Sequence, residues 1–236
     1  MTVSSNEGKF PGFNAVILAG GRSSRLEGEP KALLRVSGRT LLGVALEASA
    51  GASTVAVAGP DSLSEVLREA GTHAVLVRED PPFSGPAAAV ATAFKALLAL
   101  DAEAGRRTPD WTLVLACDMP FIAAAVETLL AEGGAEEARA EAAGDGTTPG
   151  SPPESLVALD ETGRAQPLAA LYRSVQLDDA LRRFDRPGGL VNLSMKTLLA
   201  RVQRRDVRVP AHSTADVDTW EDARRWSVEA ARPAQT

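Results

Sequence analysis

The chain holds 236 residues, 44% of them apolar, with 25 Lys and Arg against 31 Asp and Glu for a net charge of -6. That size and apolar content suit one domain with a real core, and the acidic balance disfavours nucleic acid or a membrane surface as partner. One cysteine, Cys117, excludes an intrachain disulfide framework and fits a reducing, cytoplasmic setting, and no apolar run approaches the roughly 18 residues of a membrane span.

The opening "MTVSSNEGKFPGF", residues 1–13, lacks the apolar core of a signal peptide and reads as a flexible lead-in. A single domain over 14–230 follows, with 231–236 as a tail. Asn14 to Leu18 reads as a buried strand and about Thr40 to Ala50 as a helix. Ser53 to Ala58 is a second strand, and Ser62 to Gly71 a helix with Ser62 placed to cap it. A third strand spans Ala74 to Val77, a helix runs from Pro86 to about Leu100, and Trp111 to Ala116 is a fourth strand. Residues 132–154, rich in Gly, Pro, Ala and Glu, break this rhythm and read as a flexible surface insertion. Beyond them, Ser155 to Leu159, the turn "DETGR" and Pro167 to Tyr172 suggest a pair of hairpin strands. "VQLDDALRRF" and "MKTLLARV" read as helices, "VRVP" as a short strand, and Thr219 to about Ala230 as a closing helix. Apolar strands separated by helices indicate βαβ units. The expected fold is therefore α/β: three layers, α/β/α, around a mostly parallel, doubly wound, Rossmann-like sheet. Ligands are expected beyond the carboxyl ends of its strands.

Three stretches carry chemistry. In "LAGGRSSRLEGEPKALL" the first strand runs into Gly20-Gly21, where backbone N–H groups can approach an anion with no Cβ in the way. Arg22, Arg25 and Lys31 lie within ten residues of that pair and suit a polyphosphate better than an ordinary solvated loop. The spacing is neither a Walker loop nor a dinucleotide fingerprint. In "LACDMPF", Asp118 stands where a parallel strand opens onto a site; a Mg²⁺ ligand and a cap of the next helix fit it equally. In "TADVDTWEDARRW", Thr219, Glu221 and Asp222 suit a helix start. Asp216 and Asp218 are read as pointing to opposite sides of an extended segment, the inward one serving as a second metal ligand. Glu79 and Asp80 end a strand, where either a base or ribose contact or a solvated loop acid is in keeping. Gly85-Pro86 reads as a tight turn bringing backbone near a ligand, and the two histidines, His73 and His212, as surface residues.

With these stretches in this order, the sequence resembles the MobA-like nucleotidyltransferases, and within them the molybdenum cofactor guanylyltransferases. The family's opening L-A-G-G-x-x-x-R-[ML], with a lysine thirteen residues after the leucine, matches Leu18, Ala19, Gly20, Gly21, Arg25, Leu26 and Lys31. Its G-P turn matches Gly85-Pro86, its C-D-x-P strand end matches Cys117, Asp118 and Pro120, and its P-L-x-A-L-Y segment matches Pro167 to Tyr172. Its closing motif matches Asp216 to Asp222, with Trp220 in place of proline, and an asparagine common after the second strand is replaced by Ala58 or Gly59.

The resemblance implies a nucleotide-diphospho-sugar-transferase-like fold and transfer of GMP from GTP to the phosphate of molybdopterin, with Mg²⁺ as cofactor and pyrophosphate released. It implies Arg25, Lys31 and Asp118 as catalytic residues and Asp118 and Asp216 as metal ligands. It further implies nucleotide contacts from Leu18, Ala19, Gly20, Gly21, Lys31, Gly85 and Asp118, a nucleoside contact from Asp80, and a peripheral Arg22. Molybdoenzyme-maturation proteins are the further candidate partners. Two alternatives stay open: a cytidylyltransferase acting on a molybdopterin or other small phosphate, and a nucleotide-binding homologue without turnover. A dehydrogenase is disfavoured by the missing glycine fingerprint.

Overall fold

A computed structural model of the chain describes residues 10, 12–21, 23–143 and 154–230. Strand β1 (Phe13–Leu18) is buried along its whole length, as an apolar run without alternation requires when both sheet faces are covered. A hairpin, β2 (Arg35–Val36) and β3 (Arg39–Thr40), leads into α1 (Leu41–Ala48), capped by the Thr40 hydroxyl accepting from Gly43 N–H. Then follow β4 (Val55–Ala58), α2 (Ser64–Glu69), β5 (Val75–Val77), α3 (Pro86–Glu103), β6 (Trp111–Ala116) and α4 (Ile122–Ala143). The second half adds β7 (Ser155–Leu159), β8 (Ala165–Arg173), α5 (Ser174–Arg182), α6 (Met195–Leu198), β9 (Arg204–Arg208), α7 (Trp220–Arg225) and β10 (Val228–Glu229).

Seven strands form the central sheet in the order β5-β4-β1-β6-β8-β7-β9. β4 and β6 pair in parallel with β1, while β8 runs antiparallel to both β6 and β7. Residues of opposite parity along β1 serve opposite faces. Ala15 packs with Leu41, Val44, Ile122 and Leu129 from α1 and α4. Val16 packs with Ala87, Val90, Phe94 and Leu177 from α3 and α5. The result is the expected three-layer α/β/α sandwich. Register decides where a site can form: Leu18 lies opposite both Ala58 and Ala116, and Ala58 opposite Val77. Four parallel strands therefore end level, and the loops that leave them share one rim.

Several elements differ from the sequence-based expectation. Helix α4 runs on through 132–143, where a loop was expected. Its acids face arginines delivered by the sheet rather than water. Glu137 Oε1 accepts from Trp111 Nε1 at 2.8 Å and from the Arg173 guanidinium, and Arg205 Nη1 reaches Glu132 at 3.0 Å. Gly133 passes so close to Phe10 that a Cβ there would lie 2.6 Å from its ring, so the helix lacks an apolar side chain where a pattern would need one. The remainder of that segment, 144–153, and the tail 231–236 lie outside the described residues, as do residues 1–9 and 11 of the lead-in. Phe10 and Phe13, also in the expected lead-in, meet edge to face at 5.8 Å, and Phe10 also packs on Trp111. The closing helix is shorter than expected. α7 ends at Arg225, and Val228, 6% exposed, turns inward to pair with Val36, placing β10 beside β2 in a small three-stranded sheet.

Candidate active site

The shared rim is stitched by backbone hydrogen bonds. Ala19 N–H donates to Ala58 O at 2.8 Å, Cys117 N–H to Leu18 O at 2.9 Å, and Gly59 N–H to Val77 O at 2.9 Å. The glycine loop, the strand end carrying Asp118, and the Arg78-Glu79 turn are thereby held side by side. The closing segment joins them through Val217 N–H, which donates to Asp118 O at 3.0 Å.

On this frame the charged side chains converge. Lys31, on a short 3₁₀ turn anchored by buried Ala32, places Nζ 2.8 Å from Asp118 Oδ2 and in hydrogen-bond contact with Asp218 Oδ1. Arg25 Nη1 approaches Asp218 Oδ2 at 3.4 Å from an exposed position. Asp118, Asp216 and Asp218 each offer a carboxylate oxygen, and these atoms lie within 4.8 Å of one another. Asp118 thus faces Lys31 rather than capping α4. Asp216 and Asp218 lie together, against the expectation of opposite sides. Residues two apart on an extended chain share a face, and it is Val217 between them, fully buried, that turns into the core. Asp222 fixes the arrangement: its Oδ2 accepts from the N–H groups of Asp218 at 3.2 Å and Thr219 at 2.8 Å, within the capping box that starts α7.

The electrostatics follow from this crowding. Partial burial alone would lower the Lys31 pKa, but the Asp118 carboxylate, seconded by Asp218, holds the ammonium above its ordinary value. Loss of solvent, then the charges of Asp118 and Asp218, raises Asp216. Burial pushes the Cys117 thiol up, with Asp118 adding to it, so this cysteine is an inert packing residue rather than a nucleophile.

A cavity of about 450 Å³ opens beside the cluster. Leu18, Ala19, Gly20, Gly21, Lys31, Gly85 and Asp118, the expected nucleotide contacts, all line it. Asp80 does not: it is exposed, and the neighbouring Glu79, with Arg78, lines the cavity in its place. Arg25 stands beyond the cavity lining with Asp218, and Arg22 lies outside the described residues. Gly59, one of the two positions at which the sequence lacks the asparagine, is packed under Leu63; a Cβ there would come 2.7 Å from Leu63 Cδ1. Sequence reasoning passed over Asp218 as a member of the carboxylate cluster, although the spacing of two from Asp216 signals it. A second cavity, of about 590 Å³, lies at the other end of the strands, around Pro109, Asp110 and Ser174 where β6 starts and β8 ends. Neither the glycine loop nor the carboxylate cluster borders it. Both histidines are exposed, and His212 Nδ1 is paired with Glu161 at 3.1 Å.

Comparison with known proteins gives a consistent picture. Residues 15–201 match the family model of the MobA-like NTP transferase domain. A probable molybdenum cofactor guanylyltransferase of Synechococcus elongatus is 35% identical over 119 residues, which cover 48% of this chain and 54% of that protein. Its counterpart in Bacillus subtilis is 38% identical over 109 residues, 45% of this chain and 48% of that protein. The chain therefore spans about half the length of the curated relatives it matches. Among solved structures, the molybdopterin-guanine dinucleotide biosynthesis protein A of Archaeoglobus fulgidus superimposes with a TM-score of 0.60 at 20% identity, covering 91% of this chain and 96% of that one. That likeness bears on the fold alone.

Proposed function

We propose that this chain, which belongs to the MobA-like NTP transferase family, moves GMP from GTP to the phosphate of a molybdopterin-type acceptor, releasing pyrophosphate. One observation supports the reading above the others. A glycine loop, a lysine and a carboxylate cluster from three separate stretches of sequence meet at one cavity mouth. In this reaction an acceptor phosphate oxygen forms a bond to the α-phosphorus of GTP. The bond to the β-phosphate bridging oxygen breaks, and its electron pair leaves with pyrophosphate. The nucleophile is already ionised at neutral pH, so no general base is needed, which accords with a site bordered by no histidine among the described residues. The demand is for neutralised charge and in-line placement.

The loop from Leu18 to Gly21 can present backbone N–H groups to phosphate oxygens. Lys31, charged throughout the physiological range, can follow the charge that grows on the leaving group. Arg25 stands at the rim, where the acceptor phosphate would arrive.

The donor set fits a divalent cation: three hard oxygen ligands converge where an ammonium group already sits. Asp118 and Asp216, joined by Asp218, would hold Mg²⁺, which when bound neutralises triphosphate charge. Purified protein incubated with Mg²⁺, molybdopterin and each NTP in turn tests the reading. Pyrophosphate release is expected with GTP, and an Asp118→Ala variant should lose at least ~100-fold of it while keeping its melting temperature. Near-normal turnover by that variant would sink the assignment.

A further inference from the structure

We infer that the rings of Phe121, Trp226 and His212 seat the flat heterocycle of the acceptor, an inference that rests on the guanylyl-transfer reading above. The Phe121 ring meets the Trp226 ring edge to face with centroids 5.6 Å apart, and the His212 ring lies 5.2 Å from the same tryptophan. Trp226 is partly buried against the core and anchors the group, while Phe121, 39% exposed, and His212 reach into water. Glu161, from the turn between β7 and β8, holds His212 through its ring Nδ1 at 3.1 Å and its backbone N–H at 3.3 Å. A lone exposed phenylalanine calls for no explanation, but rings gathered at a surface mark a place of recognition.

The rings come from the same two stretches that carry the carboxylates. Phe121 follows Asp118 by three residues, which keeps their Cα atoms within about 11 Å. Trp226 N–H donates to Asp222 O at 2.9 Å, and Asp222 Oδ2 accepts from Asp218 N–H at 3.2 Å. His212 precedes Asp216 by four residues. Yet the lining of the nucleotide cavity includes none of the three rings. That cavity, of about 450 Å³, is of the size that a single small ligand fills. A transfer between two substrates needs a separate place for the second.

The occupant of that place has to be flat and small. Three side chains make too small a patch for a protein partner, since a stable interface takes roughly 800 Å² from each side. A fused, nitrogen-rich ring such as a pterin can stack on aromatic side chains as a nucleobase does. Arg225, whose guanidinium carbon lies 5.6 Å from the Trp226 ring centroid, adds positive charge beside the rings, and Arg25 adds it beside Asp218. Both suit an acceptor that carries a phosphate.

Two measurements test the seat. In the first, pyrophosphate release is followed with molybdopterin varied at saturating GTP, then with GTP varied at saturating molybdopterin. Phe121→Leu and Trp226→Leu should each raise KM for molybdopterin about tenfold while KM for GTP stays within about twofold. Trp226→Phe, which keeps a ring, should recover most of that loss. Phe121→Leu, at an exposed position, decides the matter where Trp226→Leu folds poorly. An unchanged KM for molybdopterin, or KM for both substrates raised by one factor, overturns the inference, because the rings then only pack the closing segment. The second measurement needs no turnover. Hydroxymethylpterin phosphate is fluorescent, and titration with the unmodified chain should quench it; Phe121→Leu should weaken that binding about tenfold. Glycerol phosphate, which has the phosphate without the ring, should displace it only at far higher concentration. Equal pterin affinity in the two proteins, or no quenching at all, overturns the inference. Should no NTP support pyrophosphate release, the guanylyl reading falls, and the quenching alone decides whether these rings seat a pterin.

Discussion

Lys31→Met is expected to tighten divalent-cation binding in the absence of nucleotide while weakening turnover. The reasoning starts from the shared carboxylates. Lys31 Nζ holds Asp118 at 2.8 Å and also contacts Asp218, with side chains 21%, 20% and 44% exposed in that order. Coulomb's law at 2.8 Å and an effective dielectric of about 20 gives about 6 kcal/mol of gross attraction for the closer pair. Solvent screening and the desolvation of both partners cut the net value for such partly exposed pairs to about 1 kcal/mol each. Two pairs make about 2 kcal/mol, or roughly a tenfold to thirtyfold change in an equilibrium constant. A cation binding at Asp118 and Asp218 must displace the ammonium, so its removal should strengthen binding by about that factor. Titration with Mn²⁺, followed by the loss of its free paramagnetic resonance signal, measures this directly. In the same variant, pyrophosphate release should fall by ~100-fold, because the lysine no longer stabilises charge on the leaving group. Unchanged or weaker Mn²⁺ binding in Lys31→Met would show that ammonium and metal do not compete for these oxygens.

Two further substitutions probe the frame around the site. Glu137→Ala leaves the Arg173 guanidinium, 7% exposed on its side chain and with Nε and Nη2 already lacking a hydrogen-bond partner among the described residues, without its carboxylate. Breaking such a pair costs about 3 kcal/mol or more. For a domain of this size that lowers the melting temperature by about 6–12 °C; a drop below 2 °C by calorimetry would show that this part of α4 does not dock on the sheet. Gly59→Asn places an asparagine directly after β4 and should destabilise by about 1–3 kcal/mol through the contact with Leu63. Leu63→Ala in the same chain should recover part of that loss in a double-mutant cycle of urea midpoints; strictly additive losses would remove the contact as the cause.

The parts legible in the sequence were those written in local pattern. Runs such as "NAVIL" and "WTLVLA" disclose buried parallel strands, and the strand-end positions of Gly20 and Asp118 disclose a common rim. What stayed hidden depended on partners distant in the chain. The polar face of α4 has no apolar period because its acids answer Arg173 and Arg205, which the sequence brings in more than thirty residues later. Val228 looks like the last apolar turn of a helix until Val36 is seen beside it. Between Glu79 and Asp80 the sequence offers no choice; only the folded turn beyond β5 shows that Glu79 lines the cavity while Asp80 is exposed. Asp218 is different in kind: the period of an extended chain already places it with Asp216.

The most direct measurement follows the nucleotide itself. GTP labelled at the α-phosphate is incubated with the protein, Mg²⁺ and molybdopterin, and the products are separated. The label should move to the pterin with one pyrophosphate released per transfer, and Asp118→Ala should abolish both. Label that stays in GTP, or moves equally well with the Asp118→Ala variant, would contradict the account.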